Sequence, residues 1–150
     1  MPLHLAIAQR ADASRIAEIH MAAFGTNAML RAQFPTAGLR EGVRGAVEIK
    51  ALADIEDAKT TVLVVRDVPE SDDDGPKNEE DGDGLLEDAG GPVVAFAKWS
   101  HPVPEGGDEE YVEPPWVWPE GTNWDVLEGW ARKSEEAQER ALGRTPCYRT

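Results

Sequence analysis

The sequence is poor in cysteine and in long hydrophobic runs. Cys147 is the single cysteine among 150 residues, which excludes an internal disulfide framework and a zinc site built from several cysteines. The longest apolar run, Val93–Ala97, is far shorter than the roughly 18 residues that a membrane-spanning helix needs. Residues Met1 to Arg10 lack the basic and apolar regions of a secretory leader. These absences predict a cytoplasmic protein with one domain, residues 1–150, and no membrane partner.

Basic residues are also scarce, since 15 Lys and Arg stand against 29 Asp and Glu, a formal net charge of −14. This balance argues against nucleic-acid binding, because phosphate contacts require clustered lysines and arginines. The acids are concentrated: Asp67 to Asp88 hold 11 acidic residues and 1 lysine, a net charge of −10. Such a segment buries too little apolar surface to offset the entropy lost on ordering. We therefore interpret residues 67–91 as a disordered acidic insertion, whose spacing from Glu70 to Asp81 matches a calcium-binding loop poorly.

The apolar spacing in the first third of the chain predicts one strand and three helices. Alternation from Leu3 to Ile7 is typical of a strand with one apolar face. A helix capped by Asp12 or Ser14 is expected to end at Gly25, where a left-handed cap is favoured. Further helices are expected over residues 28–34 and about 39–55. The polar residues of the longer helix are expected to face solvent: Arg40, Arg44, Glu48 and Lys50.

Two β-branched runs in the middle of the chain predict neighbouring strands. Thr60–Arg66 and Pro92–Ser100 are expected to form an antiparallel hairpin whose tip is stretched by the acidic insertion. A segment rich in proline and tryptophan follows, and its tryptophans are expected to cover the core or line a groove. A helix from Trp124 to Leu142 and the start of a strand near Cys147 complete the pattern. The fold class is therefore predicted to be α+β, a mainly antiparallel sheet with helices packed on it.

The order and spacing of these segments resemble the N-terminal half of the GNAT superfamily of N-acetyltransferases, most closely a fungal branch. The resemblance rests on Leu5–Ile19, the corner Ala23–Gly25, and the strands Thr61–Val65 and Gly91–Trp99. It implies a partial GNAT-like fold and transfer of an acetyl group from acetyl-CoA to the primary amine of a small molecule or peptide. In such enzymes a loop of the form R/Q-x-x-G-x-G/A binds the pyrophosphate of acetyl-CoA. The sequence up to Thr150 lacks that loop, so we expect the isolated chain to be inactive and to bind acetyl-CoA poorly.

The resemblance also implies residues that line the acceptor groove: Phe24, Asn27, Trp99 and His101. His101 is a candidate proton shuttle because imidazole titrates near neutral pH, with an ordinary loop histidine as the alternative. Trp99 is alternatively a core residue. Glu110 and Glu113 are candidate bases for the amine, with a solvated acidic surface as the alternative. No histidine has partners at metal-ligand spacing, so no metal is expected.

A non-catalytic interaction module is the alternative function. The acidic insertion would then dock a basic partner, and an open sheet edge would allow self-association or pairing with another chain. Cys147 is expected to be a structural residue of a strand rather than a nucleophile, because no base lies near it in the sequence.

Overall fold

The computed structural model describes residues 2–68, 91–102 and 112–143. Most of the acidic insertion, the candidate base Glu110 and the predicted strand near Cys147 lie outside these ranges. The α-helices and strands are β1 (Leu3–Ile7), α1 (Ala13–Phe24), α2 (Ala28–Gln33), α3 (Ala37–Glu56), β2 (Thr60–Asp67), β3 (Val93–Ser100) and α4 (Trp124–Leu142). The predicted α+β class is confirmed for the part of the chain described.

The strands form a three-stranded sheet in the order β1-β2-β3, and both pairings are antiparallel. The predicted hairpin is therefore confirmed, although residues 68–92 separate its two strands. Ala6 lies opposite Val64, and Val64 lies opposite Phe96. Opposed residues of antiparallel strands share one face of the sheet, and Ala6 and Val64 belong to the core cluster. This inner face is the side that the helices cover.

The outer face of the sheet is apolar and exposed. Leu3, Leu5 and Ile7 are 62%, 46% and 47% exposed, whereas Ala6 of the same strand is 2% exposed. The sequence predicted an apolar face for this strand, and the structure places that face outward, with the alanines inward. Alanine lets the helices approach the sheet closely, which the alternation of apolar residues does not reveal. Self-association through a sheet edge stays a prediction.

The buried apolar residues form two clusters, and helices α1 and α3 contribute to both. The buried residues against the sheet are mostly small: Ala6, Ala8, Ala13, Ile16, Ala51, Val62, Val64 and Val93. A second cluster between the helices consists of Ala17, Phe34, Val43 and Val47. The buried stripe of α3 also includes Lys50 and Asp54. The prediction that Lys50 faces solvent is therefore wrong, because its position falls on the helical stripe that begins at Val43.

Asp12 and Gly25 flank α1 as predicted, but neither adopts the expected cap geometry. Asp12 precedes the helix without a capping hydrogen bond from its side chain. Its carboxylate instead accepts from Nη2 of Arg66, at 2.8 and 2.7 Å, and so ties β2 to the start of α1. Gly25 has a right-handed φ of −59°, so the expected left-handed cap is wrong. Asn27 begins the next helix, where its side chain accepts from the backbone N–H of Met29 at 2.8 Å.

Gly42 marks a close approach between α3 and the segment before α4, residues 112–123, which we call the strap. A Cβ at Gly42 would lie 2.9 Å from Cβ of Pro119, whereas a Cβ at Gly45 would meet no atom within 4 Å. Since alanine stabilises a helix more than glycine does, Gly45→Ala is expected to raise the free energy of unfolding by about 0.5–1 kcal/mol. Gly42→Ala is expected to give no gain. Urea denaturation of both variants measures the difference, and equal gains would contradict the contact.

Candidate binding cleft

A cleft of about 740 Å³ lies among the inner face of the sheet, helices α1 to α3, the strap and the start of α4. Its walls are mainly apolar, and the aromatic residues lining it are Phe24, Phe34, Phe96, Trp116, Trp118 and Trp130. Clefts of roughly 300–1,000 Å³ with apolar walls and a few polar groups are typical sites for small molecules. Its size and lining make this cleft the candidate functional site.

The strap forms one wall of the cleft and is anchored to α2. At its end, the backbone N–H of Asn123 donates to the carbonyl of Gln33 at 2.9 Å. The indole rings of Trp116 and Trp118 stack with centroids 4.5 Å apart and planes 5° apart. Trp118 also lies 5.6 Å from the ring of the buried Phe34. The prediction that these tryptophans cover the core or line a groove is confirmed, and the contact between Trp118 and Phe34 ties the strap to the helical core.

Charged side chains meet at one part of the cleft wall, and we call them the charge cluster: Lys50, Asp54, Lys98 and Glu113. The carboxylate of Asp54 accepts from Lys50 through Oδ1 and from Nζ of Lys98 through Oδ2, the latter at 2.9 Å. Nζ of Lys50 also donates to Oε1 of Glu113 at 3.0 Å. The same ammonium lies 6.0 Å from the ring centroid of Trp116. Asp54 therefore bridges two lysines, and Lys50 bridges two carboxylates.

The charge cluster combines buried side chains, those of Lys50 and Asp54, with the half-exposed side chain of Glu113. Lys50 and Asp54 are each 2% exposed, whereas the side chain of Glu113 is 54% exposed. Burial acts to lower the pKa of Lys50, but hydrogen bonds to Asp54 and Glu113 outweigh it and raise that pKa above its ordinary value. Lys50 is therefore an ammonium at neutral pH. It can bind and orient an anion, but it cannot act as a neutral nucleophile.

The sequence offered weak signals for the charge cluster. Lys50 and Asp54 were missed, although both occupy the apolar stripe of α3. Lys98 follows Phe96 by two residues and so shares its face of the strand. Glu113 was a candidate base with a solvated surface as the alternative. In the structure the side chain of Glu113 is half exposed and also forms an ion pair with Lys50.

Of the residues predicted for the acceptor groove, Phe24 and Asn27 line the cleft. Trp99 lies opposite Thr61 on the outer face of the sheet, because successive residues of a strand point to opposite sides. His101 places Nε2 2.6 Å from the hydroxyl of Thr61. The structure thus brings two of the predicted residues together and places the other two away from the cleft lining.

His20 lies in the cleft wall beside Phe24, with ring centroids 5.0 Å apart. Burial lowers the pKa of His20 from its ordinary value. The folded chain then binds fewer protons than the unfolded chain, so the stability from this group is present above about pH 6.5 and is lost as the pH falls below it. We expect His20→Gln to reduce the loss of unfolding free energy between about pH 7.5 and 5.5. Urea denaturation at both pH values checks this, and an unchanged pH dependence would contradict it.

The cleft does not fit the pyrophosphate of acetyl-CoA. A pyrophosphate requires successive backbone N–H groups and positive charge. The charge cluster instead contains two carboxylates, and both of its lysines already donate to them. Binding of acetyl-CoA is therefore not assigned to the residues that line this cleft.

Among the described residues, no group of three or more His, Cys, Asp and Glu side chains could hold a metal ion. No helix in those parts of the chain combines the length and the apolar character that crossing a bilayer requires. Comparison with protein-family models, curated proteins and solved structures found no match to this chain.

Proposed function

We propose that this chain provides the acceptor-binding part of an N-acetyltransferase, and that its cleft binds a small amphipathic primary amine. The observation that carries the proposal is a single cleft that combines aromatic walls with the half-exposed carboxylate of Glu113. Aromatic faces and carboxylates both attract an ammonium group, and the apolar walls accept the body of the ligand.

The arrangement of the first elements supports the acetyltransferase part of the proposal. A strand, three helices and an antiparallel hairpin follow one another, which is consistent with the order that the resemblance implies. Phe24 and Asn27, which the resemblance implies for the acceptor groove, line the cleft.

Electrostatics favours a cationic ligand over an anionic one. The formal net charge of −14 creates a field that attracts cations and repels anions as they approach. Inside the cleft, Trp116 and Trp130 remain 37% and 50% exposed and so offer ring faces to a ligand. An amine with an aromatic body would satisfy both features.

Calorimetric titration with tryptamine tests the proposal. We expect tryptamine to bind about tenfold more tightly than 3-methylindole, which has the same ring system without an ammonium, since a good cation–π and charge contact contributes about 1–2 kcal/mol. Trp116→Ala is expected to weaken binding, whereas Trp124→Ala, which removes an indole outside the cleft lining, is not. Absence of tryptamine binding would contradict the proposal. Acetyl-CoA is expected not to bind appreciably, and a micromolar dissociation constant would contradict that part.

A further inference from the structure

The ion pair between Lys50 and Glu113 joins a lysine buried in the core to a half-exposed glutamate of the strap. Lys50 is 2% exposed and is held by Asp54, one turn further along α3. Glu113 belongs to the strap, and its side chain is 54% exposed. The ammonium is thus part of the core, whereas the carboxylate reaches it from a segment that forms the cleft wall.

The carboxylate of Glu113 balances the net positive charge of Lys50, Lys98 and Asp54. Lys50 and Lys98 carry two positive charges, and Asp54 supplies one negative charge between them. A buried surplus of positive charge is costly unless an anion is paired with it. Oε1 of Glu113 lies 3.0 Å from Nζ of Lys50. The charge balance therefore requires a carboxylate at this point beside Lys50.

We propose that the ligand of the cleft carries a carboxylate as well as an amine, and that its carboxylate replaces that of Glu113 on Lys50. This inference rests on the proposed function and deepens it. The released carboxylate of Glu113 then accepts the ammonium of the ligand. After the exchange every charge in the cleft again has a partner of opposite sign.

The exchange selects a zwitterion. A simple anion would displace Glu113 without giving it a new partner, and it would approach against the net charge of −14. A simple amine would leave the pair of Lys50 and Glu113 in place. With Trp116, Trp118 and Leu127 in the lining, the cleft fits a free amino acid with an aromatic or large aliphatic side chain.

Calorimetric titrations with L-tryptophan, its methyl ester and tryptamine separate this inference from the proposed function. The three probes share the indole and the amine, but only L-tryptophan carries a carboxylate. We expect L-tryptophan to bind about tenfold more tightly than the other two, because its carboxylate adds a charge-assisted contact to Lys50. Equal affinities would overturn the inference and leave the proposed function standing. Absence of binding by all three would overturn both.

Variants of the strap test the exchange itself. Glu113→Gln keeps the shape of the side chain and removes its charge, so Lys50 becomes available to a carboxylate. We expect this variant to bind indole-3-propionate, which has a carboxylate and no amine, about tenfold more tightly than the native chain does. Glu120→Gln removes the same charge from an exposed position of the same strap and is expected to leave that affinity unchanged. Equal gains in both variants would indicate an effect of net charge alone and would overturn the inference.

Discussion

Replacing Asp54 by alanine is expected to lower the free energy of unfolding by about 3–5 kcal/mol, the cost of removing one partner from a buried ion pair. Asp54 is 2% exposed and accepts from Lys50 and Lys98. Without its carboxylate, the buried ammonium of Lys50 would be left with Glu113, whose side chain is 54% exposed. The loss is large because the positive charges of Lys50 and Lys98 remain after the carboxylate that accepts from both has been removed.

Equilibrium denaturation by urea measures this loss, and an exposed ion pair on the same helix provides the control. Glu41 pairs with Arg44 at 2.8 Å, and its side chain is 71% exposed. Glu41→Ala is expected to cost less than about 1 kcal/mol, since exposed ion pairs contribute little. Combining Asp54→Leu with Lys50→Met is expected to recover much of the stability lost in either single variant, because apolar replacements of a buried pair are tolerated. Similar losses for Asp54→Ala and Glu41→Ala would contradict the buried charge cluster.

Truncating Phe34 to alanine is the second change with a large expected effect, a loss of about 3–5 kcal/mol. Phe34 is 1% exposed and packs with Ala17, Val43 and Val47 between the helices. Its ring also meets Trp118, so the same side chain supports the helical core and the strap. The cavity left by the ring would therefore weaken both parts of the cleft wall.

Two further variants show whether the loss comes from the buried cavity. Phe34→Leu retains most of the apolar volume and is expected to cost less than about 1.5 kcal/mol. Phe24→Ala removes the same ring from a position that is 49% exposed, so a loss of about 1 kcal/mol or less is expected. Denaturation curves give the three values. A loss in Phe34→Ala no larger than that in Phe24→Ala would contradict the position of Phe34 in the core.

The positions of the helices could be predicted because local signals determine them. The helix expected over about 39–55 is observed as Ala37–Glu56, where Thr36 accepts from the backbone N–H of Leu39 at 3.2 Å. The helix from Trp124 to Leu142 has the predicted bounds, with Gly143 at positive φ after it. Apolar spacing and terminal residues lie within a few positions of each helix, so a sequence displays them.

The charge cluster could not be predicted because its stability depends on distant partners. Lys50 lies 63 residues before Glu113, and Lys98 lies 44 residues after Asp54. A lysine on a helix is ordinarily assigned to solvent, since an unpaired buried ammonium is very costly. Only the folded chain shows that three other charged groups surround this one. The same limit applies to Trp99, since alternation along a strand does not say which face the helices cover.

The most direct test of the binding cleft follows the indole N–H signals of the ¹⁵N-labelled chain by NMR during titration with unlabelled tryptamine. The chain has 5 tryptophans. Trp116, Trp118 and Trp130 line the cleft, whereas Trp99 and Trp124 do not. The account predicts that the three cleft signals shift and the other two stay in place. A shift of the Trp99 signal without the cleft signals, or no shift of any signal, would contradict it.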